Sequence, residues 1–437
     1  MRYAFAWVGG TLVRSVLPVM AVASFLMVPQ ADAQVPAAPQ SRAVALTGGT
    51  VHPVSGPDIS NGTVLFVDGV ITAVGTNVSI PPDAERVDVT GRHVYPGLID
   101  GFSQVGLYEI GSIDLTIDTN EFGAFNPNAR VEVAVNPESR HIGTTRSNGV
   151  LVSITTPGGG LVSGLSAALA LDGWSWEAMT MRSRLALNVN WPNPNDADAY
   201  AAQIRELRRL FQTAREYRDV RSGGGSLPLD LRWEAMLPAL AGDVPVVVSA
   251  SELRQIQDAI TWAEEEGIRL VLRGGTDAPY VADHLVAKGI PVLLTSTMAA
   301  PGRAWEPYDH AYALAGRLAD LGVRFAITGG PSAPYANRLP YEAGVAVAFG
   351  LPEEEAVRAV TLYPAQIFGI DDLVGSIEIG KDATLIVTTG HPLDTRSRVE
   401  DAYIRGGRID LNDIHRQLYE KYSEKVRQSR LPETSGN

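Results

Sequence analysis

The chain has 437 residues, a formal net charge of −13 and no cysteine. The lack of cysteine excludes disulfides, thiolate nucleophiles and cysteine-based zinc sites, and the negative charge argues against nucleic acid or an anionic membrane surface as a partner. A chain of this length is long enough to bury a large core, so its size is compatible with an enzyme of two or three domains.

The amino terminus has the pattern of a secretory signal peptide. Arg2 and Arg14 are followed by an apolar run at 16–28 and then by small residues. This run is shorter than the ~20 residues that a bilayer-spanning helix needs. We therefore expect residues 1–33 to be a signal peptide, residues 34–41 to be a linker, and the mature protein to be exported to the periplasm without a membrane partner.

Both ends of the mature chain contain short β-like runs separated by turn residues. The segment GTVLFVDGVITAVG has an Asp-Gly turn between two apolar runs, and GSIEIGKDATLIV resembles it far along the chain. Such runs are typical of hairpins in a small sheet domain. They predict a composite β-sandwich domain built from residues 42–95 and 375–410, followed at 411–437 by a helix and a polar tail.

The middle of the chain alternates short strands with helical stretches. The run VPVVVSA precedes the helical pattern SELRQIQDAITWAEEEG, and IRLVLRGG precedes DAPYVADHLVAKG. Continuous apolar strands between helices are typical of a parallel sheet that is buried on both faces. We therefore predict an α/β fold, a (β/α)8 TIM-like barrel, over residues 96–374. Its functional residues should follow the strands, at the end of the barrel that we call the mouth.

Several co-linear motifs resemble those of one known superfamily. They are VYPGLID, PVVVSASE, GVRFAITGG, LPEEEAVRAVTLYPAQIFGI and GSIEIGKDATLIV, spread over about residues 43–410. With these motifs the chain is similar to the amidohydrolase superfamily, nearest to its imidazolonepropionase-like branch. The resemblance implies a barrel with a β-sandwich domain, and hydrolysis of amide-like C–N bonds by water that one or two divalent metals activate.

The residues at the metal-ligand positions that the resemblance implies are not metal ligands. The His-x-His pair of strand one, the histidines of strands five and six and the aspartate of strand eight correspond here to Phe102, Gln104, Ser249, Gly274 and Gly329. A phenyl ring cannot coordinate a cation, and glutamine offers only a neutral oxygen. We therefore expect no metal cofactor, and we interpret these five residues as pocket positions that bind a ligand.

Few other residues are candidates for catalysis. His141 and Arg146, in SRHIGTTRSNG before a predicted strand, are weak candidates near the mouth. We interpret His284 and His310 as structural residues of helices. The glycine run at 156–164 follows a strand but lacks the Lys-Ser/Thr of a P-loop, so it predicts a loop at the barrel mouth.

Two functional hypotheses remain open. In the first, which the loss of five ligands favours, the protein is a non-hydrolytic homologue that binds a small amide-like ligand or pairs with an active paralogue. In the second, it is a hydrolase of non-peptide or dipeptide-like C–N bonds with a rebuilt site, which uses carboxylates or one divalent metal such as zinc at a site outside the family positions. In both, the resemblance implies a homo- or hetero-oligomer.

Overall fold

The computed structural model describes residues 35–225, 227–330 and 332–429. The predicted signal peptide lies outside these residues. Residues 35–43, which include most of the predicted linker, have no regular structure apart from a bend. No helix in the described ranges combines the length and apolarity that a membrane span requires.

The described residues contain two sheets of eight strands each. In chain order the strands are β1 (Val44–Val51), β2 (Ile59–Val67), β3 (Val70–Gly75), β4 (Glu85–Asp88), β5 (His93–Pro96), β6 (Leu98–Ser103), β7 (Val150–Thr155), β8 (Val162–Ala170), β9 (Thr180–Asn190), β10 (Val246–Ala250), β11 (Leu270–Gly274), β12 (Val292–Leu294), β13 (Phe325–Ile327), β14 (Leu385–Thr388), β15 (Val399–Ile404) and β16 (Gly407–Arg408).

The α-helices lie mostly between the strands of the second sheet. In chain order they are α1 (Arg140–Arg146), α2 (Trp176–Met179), α3 (Ala197–Ser222), α4 (Leu231–Ala241), α5 (Leu253–Glu266), α6 (Ala282–Lys288), α7 (Leu314–Asp320), α8 (Leu339–Ala348), α9 (Glu353–Ala359), α10 (Leu362–Phe368) and α11 (Ile414–Ser429). The last of these is the helix expected near the carboxyl terminus, and none of its side chains is buried.

The first sheet is the β domain built from both ends of the chain. Its strand order is β16-β15-β14-β5-β1-β2-β3, with β4 also paired to β1. The two ends of the chain meet at β5, which pairs with β1 on one side and with β14 on the other. Leu46, Phe66, Leu385 and Tyr403 pack together in its core. The α/β fold with a composite β-sandwich is therefore confirmed.

The second sheet is the predicted TIM-like barrel, with one difference in strand direction. Seven of its strands run parallel, but β8 pairs antiparallel with both β7 and β9. The reversal before β8 occurs at the predicted mouth loop, where Gly159 and Gly160 have φ values of +73° and +62°. Glycine adopts this left-handed conformation without steric cost, so a tight hairpin replaces a crossover helix there.

The barrel is nearly closed by a side chain that joins its first and last strands. Asp100 on β6 accepts hydrogen bonds from the backbone N–H of Gly329 at 3.1 Å and of Phe102 at 3.3 Å. The other carboxylate oxygen, Oδ2, is buried and has no partner among the described residues. Burial raises the pKa of Asp100 to about 7, against the lowering effect of these hydrogen bonds.

Replacement of Asp100 by Asn should stabilise the protein in a pH-dependent way. The carboxyl pKa is about 7 in the folded protein against 3.8 in the unfolded reference, so ionisation costs stability as the pH rises from about 4 to about 7. Asp100→Asn removes that cost while keeping one acceptor oxygen. The gain in the free energy of unfolding should grow across this interval to at most about 4 kcal/mol.

Urea unfolding at pH 4, 5.5 and 8 measures this gain. Asp283→Asn, at an exposed position of α6, is the control for the loss of one negative charge. A gain for Asp100→Asn that is equal at all three pH values would contradict the assignment of a buried, protonated carboxyl group.

Candidate functional site

Two of the five pocket positions meet around a residue that the sequence analysis did not single out. The guanidinium carbon of Arg273 on β11 lies 3.6 Å from the centroid of the Phe102 ring. Its Nη1 donates a hydrogen bond to Ser249 Oγ at 3.1 Å. Strand register places Ser249 and Arg273 side by side near the carboxyl ends of β10 and β11. A guanidinium cation therefore lies among residues at the positions where the family resemblance implied metal ligands.

Arg273 has almost no electrostatic compensation. Its Nε is buried and has no hydrogen-bond partner, and its side chain forms no ion pair with any residue that the structure describes. Burial lowers the pKa of Arg273 to about 10. The side chain therefore stays positively charged at neutral pH in a place that is largely shielded from water.

Two other pocket positions are unsuited to a ligand side chain. A Cβ atom on Gly329 would lie 2.7 Å from the backbone Cα and O of Ala336, in the 3₁₀ segment Ala333–Arg338. A Cβ atom on Gly274 would lie 2.2 Å from Ser251 Oγ, and the φ of this glycine is +103°. At Gly329 the backbone of Ala336 leaves no space for a side chain, and at Gly274 the positive φ strains any residue other than glycine.

The donor set does not fit the metal centre that the resemblance implied. Gln104, the fifth pocket position, is half-buried beside the glycine turn, with its Nε2 3.4 Å from the place of a Cβ on Gly158. In the described ranges, no group of three or more His, Cys, Asp or Glu side chains is arranged to hold a metal ion. Phe102, Ser249 and two glycines supply no imidazole or carboxylate ligand.

Neutral polar groups extend the site along β9. Asn190 pairs in register with Ser249 and donates to Gly160 O at 2.9 Å and to Ser163 Oγ at 3.0 Å. Asn188, two residues earlier, is buried, and its Oδ1 has no partner within the described part of the chain. Unsatisfied buried polar atoms are rare in folded proteins, and several lie near this end of the barrel.

A pocket of about 290 Å³ lies at the loops that follow β10, β11 and β12. We call it the mouth pocket; its lining includes Gly274, Thr276, Thr295, Ser296, Glu306 and His310. His310 is 4% exposed, and its Nε2 has no hydrogen-bond partner among the described residues. His310 therefore combines a place in the pocket lining with a buried nitrogen that has no described partner.

A buried ion-pair network supports His310. Glu306 Oε1 lies 3.9 Å from His310 Nε2, while Glu306 Oε2 accepts hydrogen bonds from the backbone N–H of Gly302 at 2.7 Å and of Arg303 at 3.0 Å. The Arg303 side chain donates to Glu306 Oε1 and to both Asp277 oxygens. Hydrogen bonds and charge from Arg303 keep the pKa of Asp277 and of Glu306 below the usual values, although burial opposes this.

The predicted placement of Arg146 near the mouth needs correction, whereas His141 stays at the mouth side of α1. His141 lies on α1 against the loop before it, where its Nε2 contacts Glu109 O at 3.2 Å. Arg146, in the last turn of α1, is buried in an ion pair with Asp172, and β7 begins shortly after it. Because α1 runs back from the mouth, Arg146 lies at the amino ends of the strands. The structure does not bring the two together.

Arg273 and His310 are the functional candidates that the sequence analysis missed. Arg273 is a charged residue inside an apolar strand, LVLRG, and such a residue is a signal in itself because charges are rarely buried without a partner. His310 was interpreted as helical, but it lies in a series of turns and α7 begins only at Leu314.

Replacement of Arg146 by Met should destabilise the protein without a specific effect on the mouth. The substitution leaves the Asp172 carboxylate buried without its cation, which costs about 3–5 kcal/mol in comparable buried pairs. Urea unfolding measures the loss, with Arg140→Met at the exposed start of α1 as the control. A loss below 1 kcal/mol would show that the pair does not stabilise this end of the barrel.

Comparison with known proteins agrees with this fold. The model of the amidohydrolase family matches residues 234–412. The structure of an amidohydrolase from Thermotoga maritima MSB8 superposes with a TM-score of 0.78 and 27% sequence identity, covering 84% of this chain and 99% of that one. The shared architecture therefore extends well beyond the segment that the family model matches.

Two sequence relatives are named as hydrolases. Imidazolonepropionase from Syntrophobacter fumaroxidans is 25% identical over 411 residues, which cover 80% of this chain and 88% of that protein. Amidohydrolase tasK from Hapsidospora irregularis is 26% identical over 396 residues and 79% of this chain, but the match spans only 39% of its own length. Because fold, family model and relatives agree, the chain belongs to the amidohydrolase superfamily and is imidazolonepropionase-like.

Proposed function

We propose that this protein is a hydrolase of C–N bonds in small amide-like compounds, with a rebuilt site at the barrel mouth. The observation that carries this proposal is His310, which lines the mouth pocket and whose buried Nε2 has no partner in the described ranges. Relatives over most of the chain are named as hydrolases, which supports hydrolysis as the class of reaction.

His310 has the chemistry of a general base. A neutral imidazole nitrogen without a partner accepts a proton from a water molecule bound beside it, and the nearby Glu306 carboxylate stabilises the imidazolium that forms. The oxygen of that water attacks the amide carbon, the C–N bond breaks, and the proton passes from His310 to the leaving nitrogen. The ion pairs of Arg303 hold Glu306 in place during these steps.

A second candidate function is binding without hydrolysis, as an exported homologue that pairs with an active paralogue. A specific observation favours it, since the backbone at Gly274 and Gly329 disfavours the ligands of the family metal. The proposal of export to the periplasm rests on the sequence pattern of residues 1–33. The proposal of a homo- or hetero-oligomer rests on the family resemblance. Both stay proposals.

Replacement of His310 by Asn should abolish most of the turnover. Loss of a general base lowers kcat by about a hundredfold or more, whereas KM should change little because binding groups remain. Mass spectrometry of wild-type reactions with N-acyl amino acids, cyclic amides and dipeptides identifies a substrate, and kcat is then compared between variants. His284→Asn, at an exposed position of α6, is the matched control and should keep full activity.

Several outcomes would contradict this proposal. An unchanged kcat in His310→Asn would show that His310 is not the base. Turnover that is lost on chelation and restored by zinc would favour the relocated metal site instead. Binding of these compounds to the wild-type protein without any turnover would favour the second candidate.

A further inference from the structure

Arg273 has free hydrogen-bond donors at the barrel mouth. Its one hydrogen bond to a described residue uses Nη1 and goes to Ser249 Oγ. One face of the guanidinium plane lies on the Phe102 ring. The edge formed by Nε and Nη2 has no partner among the described residues, and its Nε is inaccessible to bulk water.

The surroundings of this cation compensate its charge only in part. A cation–π contact with one phenyl ring contributes about 0.5–2 kcal/mol, and a neutral hydroxyl accepts one hydrogen bond. Buried arginines are otherwise paired with carboxylates, because desolvation of a lone charge is costly. The residues that contact Arg273 do not include an acid, so its charge lacks a counter-ion in the described part of the protein.

The edge formed by Nε and Nη2, unpaired within the described ranges, has the geometry of a carboxylate site. Parallel N–H groups on Nε and Nη2 match the two oxygens of a carboxylate, and such paired hydrogen bonds are stronger than those between neutral groups. The ring of Phe102 holds the guanidinium plane, so little side-chain freedom is lost when a ligand binds. Ser249 fixes the opposite edge of the same plane.

We infer that Arg273 binds the carboxylate of the ligand, at the place where the family resemblance implied a metal ion. The ligand class is therefore a small amide that carries a carboxylate, such as an N-acyl amino acid. This inference rests on the proposed function for the class of ligand; Arg273 itself does not line the mouth pocket, whereas Gly274, the next residue on β11, does. It concerns binding alone, so it can be tested without turnover.

Isothermal titration calorimetry of the full chain with a matched pair of probes tests the inference. N-acetyl-L-leucine carries the carboxylate, and N-acetyl-L-leucine amide is the same molecule without the charge. A charge-assisted hydrogen bond to a buried cation should make the acid bind at least about tenfold more tightly than the amide. Equal affinities, or no binding of either probe at millimolar concentration, would overturn the inference.

Three variants test whether the preference for the acid probe depends on the positive charge of Arg273. Arg273→Met should lose the preference for the acid and raise the melting temperature, because a buried charge without a partner is replaced by an apolar side chain. Arg273→Lys should keep part of the preference. Arg269→Met, just before β11 and at the opposite end of the barrel, is the control and should keep all of it. A preference that survives in Arg273→Met would overturn the inference.

A nuclear magnetic resonance measurement provides an independent readout. In protein labelled with ¹⁵N-arginine, the Nε signal that is absent from Arg273→Lys belongs to Arg273. It should shift on addition of the acid and stay in place with the amide, and a signal unmoved by the acid would overturn the inference. Binding of the acid through Arg273 without turnover would refute the hydrolase function and leave this inference standing. Turnover that requires His310 and is equally fast with the acid and with the amide would support the hydrolase function and refute this inference.

Discussion

The buried positive charge of Arg273 is the constraint on which the barrel mouth depends. A guanidinium with no carboxylate partner in the described chain is stable there because the Phe102 ring covers one face and Ser249 accepts one hydrogen bond. Both residues come from strand positions that the superfamily resemblance assigns to metal ligands. Replacement of those ligands and placement of the arginine are therefore parts of one arrangement, since a divalent cation and a guanidinium cannot share the same space.

The backbone has adapted to this arrangement as well. Ala336 packs against Gly329 and leaves no room for a larger side chain there, and the positive φ of Gly274 strains any other residue. Restoration of single ligands would therefore clash with the fold or strain it before it could bind a metal. The remainder of the barrel and the β domain stay close to those of a Thermotoga amidohydrolase. A conserved barrel can carry different chemistry, because its sites lie on strand ends and loops.

Four buried polar atoms that have no partner in the described ranges lie toward the mouth end of the barrel, while Nε and Nη2 of Arg146 are likewise unpaired at the opposite end. Arg273 Nε, His310 Nε2, Asp100 Oδ2 and Asn188 Oδ1 are buried without partners among the described residues. Each lowers the stability of the isolated chain, because a buried polar group that forms no hydrogen bond loses its interactions with water. A bound molecule that completes hydrogen bonds at the mouth would link the stability of this protein to the occupancy of its mouth.

The composite β domain and the barrel could be predicted from the sequence, because hydrophobic periodicity and co-linear motifs depend on local order along the chain. The sequence did not determine the reversed direction of β8, which the left-handed glycines of the turn permit. The surroundings of single residues became visible in the folded protein alone. Arg146 belongs to an ion pair at the far end of the barrel, whereas Arg273 and His310 border the mouth. Burial and partners are properties of neighbours distant in sequence, and a linear pattern does not contain them.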